Sequence, residues 1–269
     1  MRAENTREPQ NVQKTFTEEQ IIGHYRSEAE KHGMEGTSTI QDMRTRRLEM
    51  EAIFSYIRDG ERVLEVGCGN GYVAQAIVEK YAIELDAVDF SPEMIALAKK
   101  RKIKRARGHV KFAVQNIIKL DATDYYNLVF TERCLQNLVS WDDQKVALAN
   151  IAQAVKPEGQ FVMLESFWSG LNRLNQARKE LDLPEIPPPW HNLLFEEEET
   201  KSYMISLGCS YIDQNCFLSG YYFGSRVLLP ALMPKGKTVT SQSVLNDYFC
   251  GLPPHGDFSP MKILRFVKK

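Results

Sequence analysis

The stretch Val63-Leu64-Glu65-Val66-Gly67-Cys68-Gly69-Asn70-Gly71 limits the possible folds more than any other part of the chain. Val63 to Val66 is an apolar run broken by one carboxylate, the pattern of a strand buried on both faces of a parallel sheet. It leads straight into three glycines at alternate positions. Such glycines allow a tight turn and let a ligand approach the main chain without meeting a Cβ. The spacing is Gly-x-Gly-x-Gly. The dinucleotide fingerprint needs its third glycine one residue later, where this chain has Tyr72.

Strands and helices alternate downstream. Glu84 to Asp89 reads as a second strand, Val110 to Val114 as a third, Tyr126 to Phe130 as a fourth and Gln160 to Leu164 as a fifth. Ser91-Pro92-Glu93 opens a helix with a capping hydroxyl followed by proline at the first helical position. Ser140-Trp141-Asp142-Asp143 resembles a capping box, and Leu148, Ile151 and Val155 give its helix an apolar face that Pro157 and Gly159 close. Ahead of the first strand, Thr17 caps a helix running to Lys31, and a second spans Ile40 to Ile57. Cys209 to Phe217 and Lys262 to Val267 fit final antiparallel strands.

The expected fold is α/β: a doubly wound, mostly parallel, seven-stranded sheet with helices on both faces. Residues 1–16 are expected to be a disordered tail, and 17–269 one domain with a helical cap at 17–59. Phe167 to Phe195 follows strand five and carries Pro184, Pro187, Pro188 and Pro189. It reads as an insertion that lies over the strand ends like a lid. Ligands on such sheets bind at the carboxyl ends of the strands, near the switch point. Gly67 to Gly71, Asp89, Asn116 and Glu132 all fall at such ends.

A net charge of −1 creates no global field favouring nucleic acid or an anionic membrane. Five scattered cysteines without a Cys-x-x-Cys pair argue for free thiols in a reducing compartment and against a zinc site. No run reaches the roughly 18 apolar residues of a membrane span. A cytoplasmic protein with no metal and no nucleic-acid or membrane partner is the expectation. Lys99 to Arg107 has seven basic residues in nine. It fits the solvated C-terminal end of a helix, with a nucleic-acid stripe as the alternative. Glu196 to Glu199 reads as a solvated first turn, and Tyr221, Tyr222 and Phe223 as core.

The glycine loop, the acidic residue in its strand and the order of elements over residues 60–166 resemble the class I S-adenosylmethionine-dependent methyltransferases. The resemblance implies S-adenosylmethionine as cofactor and a small-molecule acceptor. It assigns Gly67, Cys68 and Gly69 to the methionine and ribose parts of the cofactor, and Glu65 to its amino group. Asp89 matches the carboxylate that accepts from both ribose hydroxyls, with helix capping beside Ser91 as the alternative. Phe90 and Met94 flank the adenine. Asn116 stands where relatives commonly have aspartate, so it accepts from the adenine amine through its amide oxygen, next to the backbone of Ile117. Tyr25 and Arg46, on the N-terminal helices, reach the cofactor.

Methyl transfer needs alignment of nucleophile, methyl and sulfur, and in some cases a base. His191, Glu132 and His24 are the candidate bases; each histidine alternatively has a purely structural role. Arg133, Asn137, Trp190 and Asn192 are the candidate acceptor contacts, with an internal Glu132–Arg133 surface pair as the plain alternative. The rival functions are a nucleic-acid or protein methyltransferase, a nicotinamide-dependent oxidoreductase, and a cofactor-binding protein without catalysis.

Overall fold

The computed structural model describes residues 16–234 and 243–269. Seven strands form one sheet: β1 (Arg62–Val66), β2 (Glu84–Asp89), β3 (His109–Val114), β4 (Tyr126–Glu132), β5 (Val155–Ser166), β6 (Cys209–Asn215) and β7 (Met261–Lys268). Their order is β3-β2-β1-β4-β5-β7-β6. The first five are parallel, and β7 runs antiparallel between β5 and β6. The winding reverses between β1 and β4, so a crevice opens beyond Val66 and Glu132.

Period-two alternation sorts the strand side chains into two cores. Val63, Leu128, Phe130, Val162, Leu164 and Ile263 enter one core, with Ile53, Ile77, Tyr221 and Phe249 from the covering helices. Leu64, Val66, Val129, Phe161, Met163 and Phe266 enter the other, against Leu148, Ile151 and Met204. Glu65 and Glu132 have the parity of Val63 and Phe130, so both belong to the first face.

Ten helices are described: α1 (Glu18–His32), α2 (Met43–Phe54), α3 (Tyr72–Lys80), α4 (Pro92–Ala98), α5 (Trp141–Ala154), α6 (Trp168–Lys179), α7 (Glu197–Ser206), α8 (Ser219–Phe223), α9 (Leu229–Leu232) and α10 (Val244–Cys250). A π-helical turn, Gly224–Leu228, joins α8 to α9. Local chemistry sets many of the boundaries. Thr17 and Gln20 form a reciprocal capping box on α1. Asp42 accepts from the amides of Arg44 and Thr45, which starts α2 later than Ile40. Ser91 and Ser140 cap α4 and α5 as their sequences imply.

Several expectations are corrected. The 1–16 tail lies outside the described residues except for Phe16, which is buried edge-on to the Trp190 ring at 6.4 Å. α5 ends at Ala154, ahead of Pro157, because Val155 leaves to pair with Tyr126 and the chain bulges before Gln160 pairs with Leu128. The basic run follows α4 and does not extend it. Arg101 folds back onto the carbonyls of Asn70 and Met34 (both 2.6 Å), and Arg107 reaches Asp59 at 2.7 Å. In the acidic run, Glu197 turns inward to Lys201 (2.7 Å) and the fully buried Lys262 (3.0 Å), and these cations hold its carboxyl down at about 2 despite burial. Among the described residues, no helix is long and apolar enough to cross a membrane.

Candidate functional site

The three glycines of the loop after β1 have different tasks. All have positive φ: 84° at Gly67, 52° at Gly69 and 75° at Gly71. A Cβ on Gly67 would lie 2.5 Å from that of Cys134, so this glycine lets the loops after β1 and β4 touch. A Cβ on Gly71 would meet the Phe112 ring at 2.9 Å. A Cβ on Gly69 would meet nothing within 4 Å. That residue faces open space, with its own amide donating to Asp89 Oδ2 at 2.8 Å.

Asp89 ends β2. Its other oxygen accepts from the Ser91 amide at 2.9 Å. The carboxylate thus braces the α4 entrance, and it also borders the cavity. Burial raises its pKa to about 6, against the pull of the two amides. Glu65 is 2% exposed, and its Oε2 has no hydrogen-bond partner. Burial, with Glu132 and Asp89 nearby, pushes its carboxyl well above the usual range. A buried carboxylate with an unanswered oxygen beside a cavity is an acceptor held ready for a cationic donor. Asn116 turns its amide oxygen onto the Ile118 backbone at 3.0 Å, shaping the turn in which Ile117 sits; both residues border the cavity.

A charged cluster lies under α2. Arg46 donates to Glu132 at 2.8 Å and to Thr39 at 2.8 Å. Arg133, at φ 56°, stands 3.7 Å from Glu49, whose oxygens have no hydrogen-bond donor. Glu49 is fully buried, and desolvation lifts it to about 7 despite Arg133. The sequence reading missed Glu49, although helical spacing carried the signal: Thr45, Glu49 and Ile53 share one stripe of α2, and all three are buried. Glu165 was also missed. At the end of β5 it accepts from the amides of Cys134, Leu135 and Gln136 at 3.0–3.1 Å and so holds the loop after β4 in place. Glu132 and Arg133 are thus not paired with each other on the surface; each has a different buried partner.

The cavity measures about 350 Å³, within the range of small-molecule sites. Of the residues expected to hold cofactor or acceptor, it gathers Tyr25, Arg46, Glu65, Gly67, Cys68, Gly69, Asp89, Phe90, Asn116, Ile117, Glu132, Arg133, Asn137, His191 and Asn192. Tyr25 stands edge-on to Phe90 and accepts from Asn137 at 2.7 Å; burial raises its phenol pKa. Three expected residues do not line the cavity. Met94 is fully buried in the core, because it occupies the inward face of α4. Trp190 is 48% exposed and packs outward against Phe16 and His24. His24 meets the site through its neighbours, stacking on His191 with ring centroids 4.6 Å apart and standing edge-on to Tyr25 at 5.1 Å. His191 Nδ1 is buried without a partner, and burial, His24 and Arg133 push its imidazole down to about 4. Among the described residues, no group of His, Cys, Asp and Glu is arranged to hold a metal.

The segment 167–195 is anchored at both ends. Phe167 bridges Phe195, the Phe195 amide donates to Ser166, and the Leu193 amide donates to Gln136 at 2.6 Å. A helix, α6, fills its first half from Trp168 to Lys179.

Residues 63–159 match the family described as "Methyltransferase domain". The chain is 25% identical over 166 residues to a malonyl-[acyl-carrier protein] O-methyltransferase of Bacillus cytotoxicus, covering 60% of this chain and 56% of that protein. It is 28% identical over 132 residues to the O-methyltransferase rstn1 of Aspergillus nomiae, covering 48% and 57%. The chain thus spans just over half the length of these curated relatives. In structure it resembles magnesium protoporphyrin IX methyltransferase from Synechocystis with bound S-adenosylhomocysteine (TM-score 0.57, 13% identity, covering 92% and 94%). It also resembles an N-methyltransferase of Bradyrhizobium japonicum in complex with the same molecule (TM-score 0.55, 14% identity, covering 91% and 98%).

Proposed function

We propose that this chain, which belongs to the class I S-adenosylmethionine-dependent methyltransferases, transfers a methyl group from S-adenosylmethionine directly to a small-molecule acceptor. One observation carries the reading. The buried, unanswered carboxylate of Glu65 and the open face of Gly69 border the same cavity at the switch point of the sheet. A cofactor with an ammonium, a ribose and a need for close main-chain contact suits both. β7 runs antiparallel, which differs from the all-parallel dinucleotide-binding sheet.

When bound, S-adenosylmethionine supplies an electrophilic methyl on a sulfonium with a neutral leaving group. Glu65 is placed to accept from its ammonium, and Asp89 keeps lone pairs for the ribose hydroxyls besides those given to Gly69 and Ser91. Ile117 and Asn116 form the wall for the base, with Phe90 and Tyr25 closing the opposite side. Five carboxylates line the cavity against two guanidiniums, a field that suits a cationic ligand. Glu132 is tied to Arg46, so of the candidate bases that line the cavity it is His191 whose ring nitrogen, Nδ1, lacks a partner. An imidazole held near 4 is a weak base. Alignment of the acceptor, with exclusion of water by 189–192 and α1, therefore contributes more than proton abstraction.

Calorimetry tests the reading. S-adenosylmethionine and S-adenosylhomocysteine should bind in the micromolar range, roughly −8 kcal/mol. Binding of a nicotinamide dinucleotide with neither of these ligands would overturn it. The nucleic-acid alternative depends on the basic run, but two of its arginines are committed to internal partners. A salt-sensitive complex with RNA would revive it.

A further inference from the structure

A second cavity of about 160 Å³ adjoins the first, and the two share Arg133, Pro189 and Asn192 as common wall. Its body is apolar, formed by Leu171 and Leu174 of α6, Ile186, Pro188 and Leu194 of the following segment, and Met261 at the start of β7. Its charged lining residues are Arg133 and Arg226, with no carboxylate among them. Arg226 is committed: it donates to Asp42 at 3.1 Å and lies over the Tyr222 ring at 4.0 Å. Arg133 is not. Its Nη1 faces Glu49 across 3.7 Å without a hydrogen-bond acceptor, and the side chain as a whole stays 24% exposed. Burial lifts Glu49 to about 7, so its charge compensates Arg133 only in part at neutral pH. The main chain fixes the arginine, since its amide donates to the Leu164 carbonyl at 3.0 Å and its carbonyl accepts from Asn137 at 2.8 Å.

A preorganised guanidinium with an open donor, at the mouth of an apolar chamber without acids, is built for an anion on a hydrophobic body. The neighbouring cavity, rich in carboxylates, has the opposite preference. We propose that the second cavity is the acceptor subsite and that it takes an apolar or aryl molecule bearing a carboxylate, which Arg133 holds at the partition. An acceptor there presupposes methyl transfer at the neighbouring cavity, the function proposed above.

The test uses the full chain saturated with S-adenosylhomocysteine. 3-Phenylpropionate and octanoate are titrated calorimetrically against their amides, 3-phenylpropanamide and octanamide. The carboxylates should bind at least about tenfold more tightly, in line with a charge-assisted hydrogen bond in a sheltered site. Arg133→Met should abolish that preference while S-adenosylhomocysteine affinity stays within about threefold. Ile186→Trp, which fills the chamber from a residue that does not line the larger cavity, should exclude all four probes and leave S-adenosylhomocysteine binding intact. It keeps the proposal testable if Arg133→Met does not fold. Equal binding of acids and amides, no binding of any probe, or carboxylates that compete with S-adenosylhomocysteine would overturn the assignment. So would a large loss of S-adenosylhomocysteine affinity in Arg133→Met, because Arg133 would then read the cofactor's own carboxylate. A wild-type chain that binds no S-adenosylhomocysteine fails one step earlier and overturns the methyl-transfer reading itself.

Discussion

Five carboxylates and two guanidiniums line the larger cavity; two guanidiniums and no carboxylate line the smaller one beside it. The two also differ in how the chain builds them. The larger is bounded mainly by loops that directly follow β1, β2, β3 and β4, each a short segment attached to its strand. The smaller is assembled from α6, a proline-rich stretch, the turn at Tyr222–Arg226 and the start of β7, segments that lie far apart in the chain. A site on strand ends inherits its geometry from the hydrogen-bonded sheet. A site made by packing helices and loops depends on side-chain fit, so related chains can vary it while keeping the first. This division suits one shared cofactor and many acceptors.

The contrast is tested most sharply at Gly69. Gly69→Val puts a branched side chain into the open space of the larger cavity, at a φ of 52° that such residues avoid. S-adenosylhomocysteine affinity should fall at least about a hundredfold, roughly 3 kcal/mol, while carboxylate probes still enter the smaller cavity. Loss of both together, with a native circular dichroism spectrum, would show that the two cavities are not independent.

Asp89→Asn should cost about tenfold in affinity, as charge-assisted bonds to the ribose become neutral ones. It carries a pH signature. Because burial holds Asp89 near 6, its charged form is lost as pH falls through that value. In the wild type, S-adenosylhomocysteine binding should weaken below about pH 6, and in Asp89→Asn this component should vanish. Dissociation constants measured from pH 5 to 8 for both proteins decide the matter.

Glu49→Gln probes the buried partner of Arg133, the arginine that both cavities share. The folded-state pKa of Glu49 is raised, so the native protein holds a proton that the unfolded chain has released between about 4.5 and 7. This residue therefore lowers stability as pH rises through that window. The melting temperature of Glu49→Gln relative to wild type should climb from pH 4.5 to 7; a flat difference would mean that Glu49 is charged throughout.

His191→Ala should have the smallest effect on the larger cavity, less than about 1 kcal/mol in cofactor affinity. The acceptor KM should rise or turnover fall. With the imidazole near 4, the rate should show no histidine titration between pH 5 and 8. Unaltered acceptor kinetics would assign the ring to packing against His24.

Local chemistry made most of the first half readable. The alternating glycines, the strands with a carboxylate at or near their ends and the capping serines act over a few residues, so their spacing in sequence maps directly onto space. The same locality explains why a strand-end position alone puts Asp89, Asn116 and Glu132 beside the cavity. Met94, Trp190 and His24 were misplaced because proximity in sequence does not say which face of a helix or loop turns inward. From 167 onward the signals fade: α8 and α9 are short and joined by a π turn, with α8 and the turn packed on α10 and the turn also on α6.

The sequence by itself determined the parallel sheet, the succession of its elements up to β5 and the glycine loop, because strand periodicity, caps and backbone permissiveness are properties of neighbouring residues. Tertiary structure decided the rest. It placed β7 between β5 and β6, buried Glu49 beneath Arg133, turned Arg101 and Glu197 inward, and divided the crevice into an acidic and a basic chamber. Each of those outcomes depends on the desolvation and pairing of charges distant in the chain, quantities that exist only after the chain has folded.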